Sequence, residues 1–134
     1  MQITRQSEYA IKTLLELARL PFGQSLRTQE ISQRQGVPEV FLKKTIQLLA
    51  RGGLIATQRG AQGGVRLNVS ANRITIVDII QAIEGNLAIN PCLAPGCHCQ
   101  NESFCQIRKI LQRAQEAMVA ELSRETLQDI VNSE

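Results

Sequence analysis

The first fifty residues alternate between helical stripes of hydrophobic positions and short groups of turn residues. A first helix is predicted over residues 4–20, because apolar side chains recur there at i, i+3, i+4 and i+7. These side chains are Ile11, Leu14, Leu15 and Ala18. Pro21 and Gly23 end the pattern, so the helix is expected to have a single apolar face.

Two more helices follow, joined by a glycine turn. Thr28 suits the N-cap of a short helix that ends at Gly36, and Pro38 suits the first turn of a longer helix that runs to about Arg51. The longer helix is expected to bury Phe41, Leu42, Thr45, Leu48 and Leu49 and to expose Glu39, Lys43, Lys44 and Gln47. Two short helices around a glycine turn are typical of a helix-turn-helix, whose exposed polar side chains reach base edges and phosphates.

Two runs of β-prone residues surround a glycine-containing loop in residues 54–69 and predict a hairpin. A basic hairpin directly after a helix-turn-helix is a wing. Its loop contains Arg59, which lies where a side chain can enter a minor groove, and Gly60 and Gly63, whose backbone can approach a phosphate closely.

The remaining apolar pattern predicts three helices. Thr75 caps one that carries Ile79, Ile80 and Ile83 and ends at Gly85. A long amphipathic helix begins at about Ser103, with one apolar stripe and an opposite charged face. Its stripe consists of Ile107, Ile110, Leu111, Ala114, Ala117, Met118 and Leu122. Such a stripe favours packing against a second copy of the chain, and Thr126 then caps a brief terminal helix.

The expected fold is mainly α: a winged helix-turn-helix with a two-stranded β wing and a long C-terminal dimerisation helix. The winged domain spans residues 1–85, a cysteine-rich sensor loop spans 86–106, and the dimerisation helix with the short terminal helix spans 107–134. A chain of 134 residues can bury a real core, which must be aliphatic because only Tyr9, Phe22, Phe41 and Phe104 are aromatic.

Charge is unevenly divided between the two halves. Residues 1–70 carry ten Lys and Arg against four Asp and Glu (+6), and residues 71–134 carry five against eight (−3), which sum to the net charge of +3. A basic N-terminal half indicates a polyanion partner such as nucleic acid. No apolar run approaches a membrane span and no signal peptide is present, so a cytoplasmic protein is expected.

All four cysteines lie in residues 91–105, together with the single histidine, His98. In the cytosol, clustered thiols favour metal binding or redox sensing over structural disulfides. Four sulfurs suffice for zinc, although the C-x4-C-x-C-x5-C spacing lacks paired C-x2-C knuckles, and a disulfide switch is a further alternative. His98 is more often solvated than a ligand in such a polar loop.

The chain resembles the Rrf-two family of bacterial winged-helix regulators (the IscR, NsrR and CymR type) over nearly its full length. The resemblance rests on the order and spacing of short motifs. They are the segments 7–10, 30–32, 36–38, 54–55, 59–64, 76–80 and 126–130, which read SEYA, EIS, GVP, LI, RGAQGG, IVDII and TLQDI.

The resemblance implies a homodimer, joined through the long helix, that binds a roughly palindromic double-stranded DNA operator. The helix from Pro38 would enter the major groove and the wing the minor groove. The residues expected to contact DNA are Thr28, Glu39, Val40, Lys43, Lys44, Arg59, Gly60 and Gly63.

Members of the cluster-binding branch of this family hold an iron–sulfur centre with three cysteines spaced C-x5-C-x5-C. Cys99-x5-Cys105 matches this spacing, whereas Cys92-x6-Cys99 is one residue longer and leaves Cys97 as an alternate ligand. Whether the centre is [2Fe-2S] or [4Fe-4S] is open. Some relatives complete the ligand set with a carboxylate from the partner subunit, and Glu8 matches that position.

These features predict a redox-sensing transcriptional regulator whose operator binding depends on an iron–sulfur cluster and responds to iron–sulfur status, oxidant or nitric oxide. A zinc-controlled or thiol-redox regulator of the same fold is the alternative. A small electron-transfer iron–sulfur protein is an alternative of another class. An enzyme is not expected, since the sequence has no nucleophile–base pair, paired acids or phosphate loop.

Overall fold

The computed structural model describes residues 3–61, 63–97 and 105–134. The helices are α1 (Arg5–Ala18), α2 (Thr28–Gln35), α3 (Glu39–Arg51), α4 (Ile76–Glu84), α5 (Gln106–Leu122) and α6 (Leu127–Asn132). The strands are β1 (Ser25–Leu26), β2 (Ile55–Gln58) and β3 (Gly64–Leu67), and short 3-10 turns span Ala71–Arg73 and Pro91–Leu93. The winged helix-turn-helix expected from the sequence is confirmed.

Side-chain caps and one left-handed glycine set the helix boundaries. Thr75 accepts a hydrogen bond from the backbone N–H of Asp78, whose carboxylate accepts the N–H of Thr75 at 2.9 Å. Gly36 ends α2 with φ of +64°, as the turn of a helix-turn-helix requires. The expected N-cap at Thr28 was wrong by one position: Thr28 is the first helical residue, and Arg27 occupies the cap position.

The core is aliphatic and lies where α1, α3 and α4 pack against one another. Leu14, Leu42, Leu49 and Ile79 are fully buried there. Phe41 corrects the sequence interpretation, because its side chain is 57% exposed instead of buried. Ile46 is buried in its place, since it continues the face defined by Leu42, Thr45 and Leu49.

The sheet has three antiparallel strands in the order β1-β3-β2, one strand more than the expected wing hairpin. Leu26 of β1 and Thr57 of β2 both pair with Val65 of β3. A strand of two residues is too short to show alternation, which is why the sequence pattern did not reveal β1. The added strand connects the residues before α2 to the base of the wing.

The terminal helix folds back onto the N-terminal helices. The backbone N–H of Leu127 donates to the carbonyl of Ile74 at 2.8 Å, and the side chain of Leu127 is fully buried in the main core. Arg19, the residue that follows α1, donates through Nε to the Glu134 carboxylate at 2.9 Å, and this interaction lowers the pKa of Glu134. Helix α6 therefore ties the end of α5 to the domain that contains α1.

Helix α5 differs from the others because none of its residues is buried within the chain. It begins at Gln106, whereas the sequence suggested about Ser103, which lies outside the described residues. Within residues 3–61, 63–97 and 105–134, no helix combines the length and the apolar character needed to cross a bilayer.

Replacing Leu127 by alanine is expected to lower the free energy of unfolding by about 2–5 kcal/mol, because it leaves a cavity in a core that cannot fully collapse. Chemical denaturation followed by circular dichroism measures this change. Asn132→Ala, at an exposed position of the same helix, is the control and should alter stability by less than about 0.5 kcal/mol. Equal stability of the two variants would contradict the docking of α6.

Candidate DNA-binding surface and thiol segment

Helix α3 presents charged and apolar side chains together on its outer face. Val40 is 78% exposed and Phe41 57% exposed, and the predicted contacts Glu39, Lys43 and Lys44 are exposed as well. Lys43 Nζ lies 4.0 Å from Glu39 Oε1, and both side chains are largely solvated. An exposed pair of this kind is weak, so Lys43 can exchange its carboxylate partner for a phosphate at little cost.

The inner face of α3 fixes its orientation. Leu42 and Leu49 are fully buried, and the hydroxyl of Thr45 donates to the carbonyl of Phe41 at 3.0 Å. At the end of the helix, a Cβ placed on Gly52 would approach the Cβ of Ala82 to 2.9 Å, which shows how closely α3 meets α4. The exposed face is therefore held by core packing and does not depend on a ligand.

The wing turn depends on glycine at two of its positions. Gly60 has φ of +109°, and its carbonyl accepts the N–H of Gly63 at 3.0 Å. A Cβ on Gly63 would lie 2.2 Å from the carbonyl oxygen of Gln58, which is incompatible with this backbone. The turn places Arg59 in an exposed position beside them.

Arg27 connects the wing to the helix-turn-helix. Its guanidinium donates to the carbonyl of Ala61 in the wing turn, and its own N–H donates to Glu30 Oε1 at 3.3 Å. Thr28, the predicted contact at the start of α2, is the next residue and is partly buried. Sequence reasoning missed Arg27, because the bond to Ala61 joins residues far apart in the chain.

The described cysteines flank the connection between α4 and α5. Cys92, Cys97 and Cys105 are free and partly buried. Asn90 Nδ2 donates to Cys92 Sγ at 3.1 Å, and the first turn of α5 donates through the N–H of Arg108 to Cys105 Sγ at 3.4 Å. Cys99 and His98 lie outside the described residues.

The donor set fits a soft metal centre in chemistry but is not assembled within the part of the chain that is described. Partly accessible sulfurs that accept N–H bonds suit thiolate ligation. Across residues 3–61, 63–97 and 105–134, however, no three Cys, His, Asp or Glu side chains are gathered as a metal would require. The preferred ligand set includes Cys99, so its completion stays a prediction.

Glu8 is exposed on the first turns of α1 and pairs with Lys12 at 2.9 Å. The hydrogen bond from Lys12 lowers the pKa of the Glu8 carboxyl, which keeps it ionised. A charged, exposed carboxylate suits a ligand donated to another subunit, provided that it releases Lys12. Its assignment as a ligand stays a prediction.

Comparison with known proteins identifies relatives along the whole chain. The Rrf2 family, described as iron-dependent transcriptional regulators, matches residues 3–133. Protein aau3 of Rhizobium meliloti (strain 1021) is 36% identical over 135 residues, which covers 99% of this chain and 86% of the relative.

Two solved structures share the fold. CymR, the global cysteine regulator of B. subtilis, superposes with a TM-score of 0.81 at 25% identity and covers 100% of this chain and 98% of its own. IscR of T. potens superposes with a TM-score of 0.76 at 25% identity and covers 99% of this chain and 88% of its own.

This chain belongs to the Rrf2 family. It is therefore a DNA-binding transcriptional regulator and not an enzyme, as the sequence predicted. The Rrf2 assignment does not decide which residues contact DNA or hold a cofactor. Those residues stay predictions, and the wing offers a direct test of one of them.

Gly63→Ala is expected to distort the wing, because the added Cβ overlaps the Gln58 carbonyl. Loss of a hydrogen bond from the wing backbone to a charged DNA phosphate would weaken DNA binding by roughly tenfold. Fluorescence anisotropy with a fragment of the operator measures the effect. Ala61→Ser, at an exposed position of the same turn, should bind as the unmodified protein does, and equal binding by Gly63→Ala would remove the wing from the interface.

Proposed function

We propose that this protein is a homodimeric regulator of the bacterial cytoplasm whose operator binding is controlled by an iron–sulfur cluster in the cysteine segment. One observation carries the proposal: the thiols of Cys92, Cys97 and Cys105 lie at the junction between the DNA-binding helices and α5. The turn Pro91–Leu93, which contains Cys92, packs against α5, and Cys105 caps the first turn of that helix. A change at these sulfurs therefore acts on α5 directly.

Helix α5 is the proposed dimer interface. It has no buried residue within the chain, and Ile107 and Ile110 are 68% and 55% exposed. Apolar side chains on one face of a helix that its own domain does not cover are expected to pack against a partner. A second copy of α5 provides that cover and places two copies of α3 at half-sites about 34 Å apart.

Within each half-site, we assign α3 to the major groove and the wing to the minor groove. Glu39, Val40, Lys43 and Lys44 would face the bases and phosphates, and Thr28 would contact the backbone. Arg59 would enter the minor groove, supported by the tight turn of Gly60 and Gly63. These roles correspond to a winged domain in residues 1–85, a cysteine-rich sensor loop in 86–106 and a dimerisation region in 107–134.

Cys92, Cys99 and Cys105 are the residues that we assign to the cluster, with Cys97 as the alternate ligand. Glu8 of the partner subunit is the candidate for the remaining position. When bound, a cluster supplies a group whose presence and oxidation state vary with iron–sulfur supply, oxidant or nitric oxide. The chain's contribution is to link the sulfurs mechanically to the DNA-binding helices.

Glu84 provides that link. Its Oε1 accepts a hydrogen bond from the hydroxyl of Ser7 at 2.7 Å and another from the hydroxyl of Thr4. Glu84 is the last residue of α4 and directly precedes the connection to the thiols, whereas Thr4 and Ser7 belong to the N-terminus of α1. Because α1 packs against α3, a displacement of the connection reaches the recognition helix through these bonds.

A thiol-redox or zinc switch on the same residues is the second candidate. The partial exposure of Cys92, Cys97 and Cys105 as free thiols favours it, since accessible thiols can be oxidised or metallated. The electron-transfer alternative has less support, because a carrier needs neither the recognition helix nor the wing.

Anaerobic purification followed by absorption spectra and by iron, sulfide and zinc analysis distinguishes these candidates. We expect a coloured protein with iron and sulfide, and Cys105→Ser should lose the colour because it removes a ligand. Ser123→Ala, an exposed position at the far end of α5, is the control and should keep it. Colourless protein with one zinc per chain would overturn the cluster and support the zinc switch. Colourless protein with neither iron nor zinc would overturn the cluster and support the thiol switch.

Glu84→Ala should make operator affinity independent of the state of the cysteines in residues 91–105. In the unmodified protein, we expect operator affinity to differ between cluster-loaded and cluster-free forms by roughly 5–150-fold, the range of a typical allosteric coupling. This ratio should approach one in Glu84→Ala. Glu84→Gln keeps the acceptor oxygen and should therefore retain the affinity ratio of the unmodified protein. Gln81→Ala, at an exposed position of the same helix, should also retain that ratio. A full ratio in Glu84→Ala would exclude this route.

A further inference from the structure

A cleft separates the first turns of α1 from the recognition helix. It has a volume of about 300 Å³ and is lined by Arg5, Gln6 and Tyr9 from α1 and by Phe41 and Lys44 from α3. We call it the α1–α3 cleft. The assigned DNA contacts do not include Arg5, Tyr9 or Phe41.

We propose that the α1–α3 cleft binds the sugar–phosphate backbone of operator DNA, which makes Arg5 a phosphate-positioning residue. The inference rests on the DNA binding contained in the proposed function and adds a contact from a third element, α1. It does not depend on the cluster or on any state of the thiols.

The charges at the cleft suit a phosphate. Arg5 and Lys44 are both exposed, and no ion pair within the described ranges involves either of them. Glu8 forms its ion pair with Lys12 at 2.9 Å, and Arg5 adds only a weaker attraction that also lowers the pKa of Glu8, so the Arg5 guanidinium can still bind a phosphate. A guanidinium can bind a phosphate through two N–H groups, and an ammonium adds a point charge beside it.

The apolar part of the cleft suits the sugar. Phe41 is 57% exposed and its neighbour Val40 is 78% exposed, whereas Leu42 and Leu49 of the same helix are fully buried. Phe41 and Val40 both add to the exposed apolar surface of α3, and a patch of this kind marks a site where another molecule covers the Phe41 ring. A deoxyribose placed against Phe41 and Tyr9 would cover it while its phosphate meets the cations.

The position of Arg5 on α1 favours contact with the DNA backbone over contact with the bases. A helix in the major groove, which is about 12 Å wide, is flanked on both sides by phosphate strands. Helix α1 packs against α3, and its first turns meet α3 at Phe41 and Lys44, so Arg5 lies at the side of the recognition helix. A side chain in that position meets the flanking strand and carries no information about base sequence.

Arg5→Ala in the full-length protein tests the proposal. The probes are an operator fragment and an unrelated duplex of equal length, titrated by fluorescence anisotropy over a range of salt concentrations. We expect affinity for both duplexes to fall by a similar factor, roughly tenfold at low salt. The slope of log affinity against log salt should decrease in magnitude by about one per bound chain, as for a lost phosphate contact.

The control is Arg124→Ala, which removes the same charge from an exposed residue between α5 and α6. It should keep the slope of the unmodified protein. Arg5→Lys should keep the slope with an intermediate affinity, since it retains the charge but loses the pair of N–H groups that can bind one phosphate. Phe41→Ala should weaken both duplexes with no change in slope, because it removes an uncharged contact.

Three results would overturn the proposal. An unchanged slope in Arg5→Ala would exclude the phosphate, and unchanged affinity in Phe41→Ala would exclude the sugar contact. A loss confined to the operator would assign Arg5 to base recognition. Failure of the unmodified protein to bind any duplex is a separate outcome that would refute DNA binding itself, and thermal melting confirms that each variant is folded.

Discussion

The packing of α1 against α3 and α4 is the constraint on which the rest of the structure depends. Its fully buried aliphatic residues, with Leu14, Leu42, Leu49 and Ile79 at the centre, hold the recognition helix in one orientation. Because the chain has few aromatic residues, this core relies on close packing of branched side chains. The outer face of α3 and the α1–α3 cleft are positioned by that packing.

Helix α1 contacts the recognition helix α3, the helix α4 that leads to the cysteines, and the terminal helix α6. At its N-terminus, Ser7 binds Glu84 at the entrance to the thiol segment. Its first turns border α3 through Tyr9, and at its C-terminus Arg19 holds Glu134 beyond α6. The helix is therefore well placed to connect the thiols with the DNA-binding surface. Directional hydrogen bonds and a close-packed core can both transmit a displacement along this route.

The two most informative departures from the sequence interpretation concern the same surface. Phe41 was expected in the core and is exposed, and the wing has gained the strand β1, which brings Arg27 next to the wing turn. An exposed apolar patch on a recognition helix, here formed by Val40 and Phe41, marks a surface that another molecule covers. A polyanion with an apolar sugar face would cover the Phe41 ring, as proposed for the α1–α3 cleft.

The sequence by itself determined the helices, the helix-turn-helix with its glycine at Gly36, the wing glycines and the family, because each depends on residues close together in the chain. It also gathered all four thiols into residues 91–105. Only the tertiary structure decided that Leu127 enters the main core, that Glu84 binds Ser7 and that Phe41 faces solvent. These features join residues distant in sequence or depend on how one helix face is shared among neighbours. Helical periodicity shows that a face is apolar, but packing decides which residues at its edge are covered.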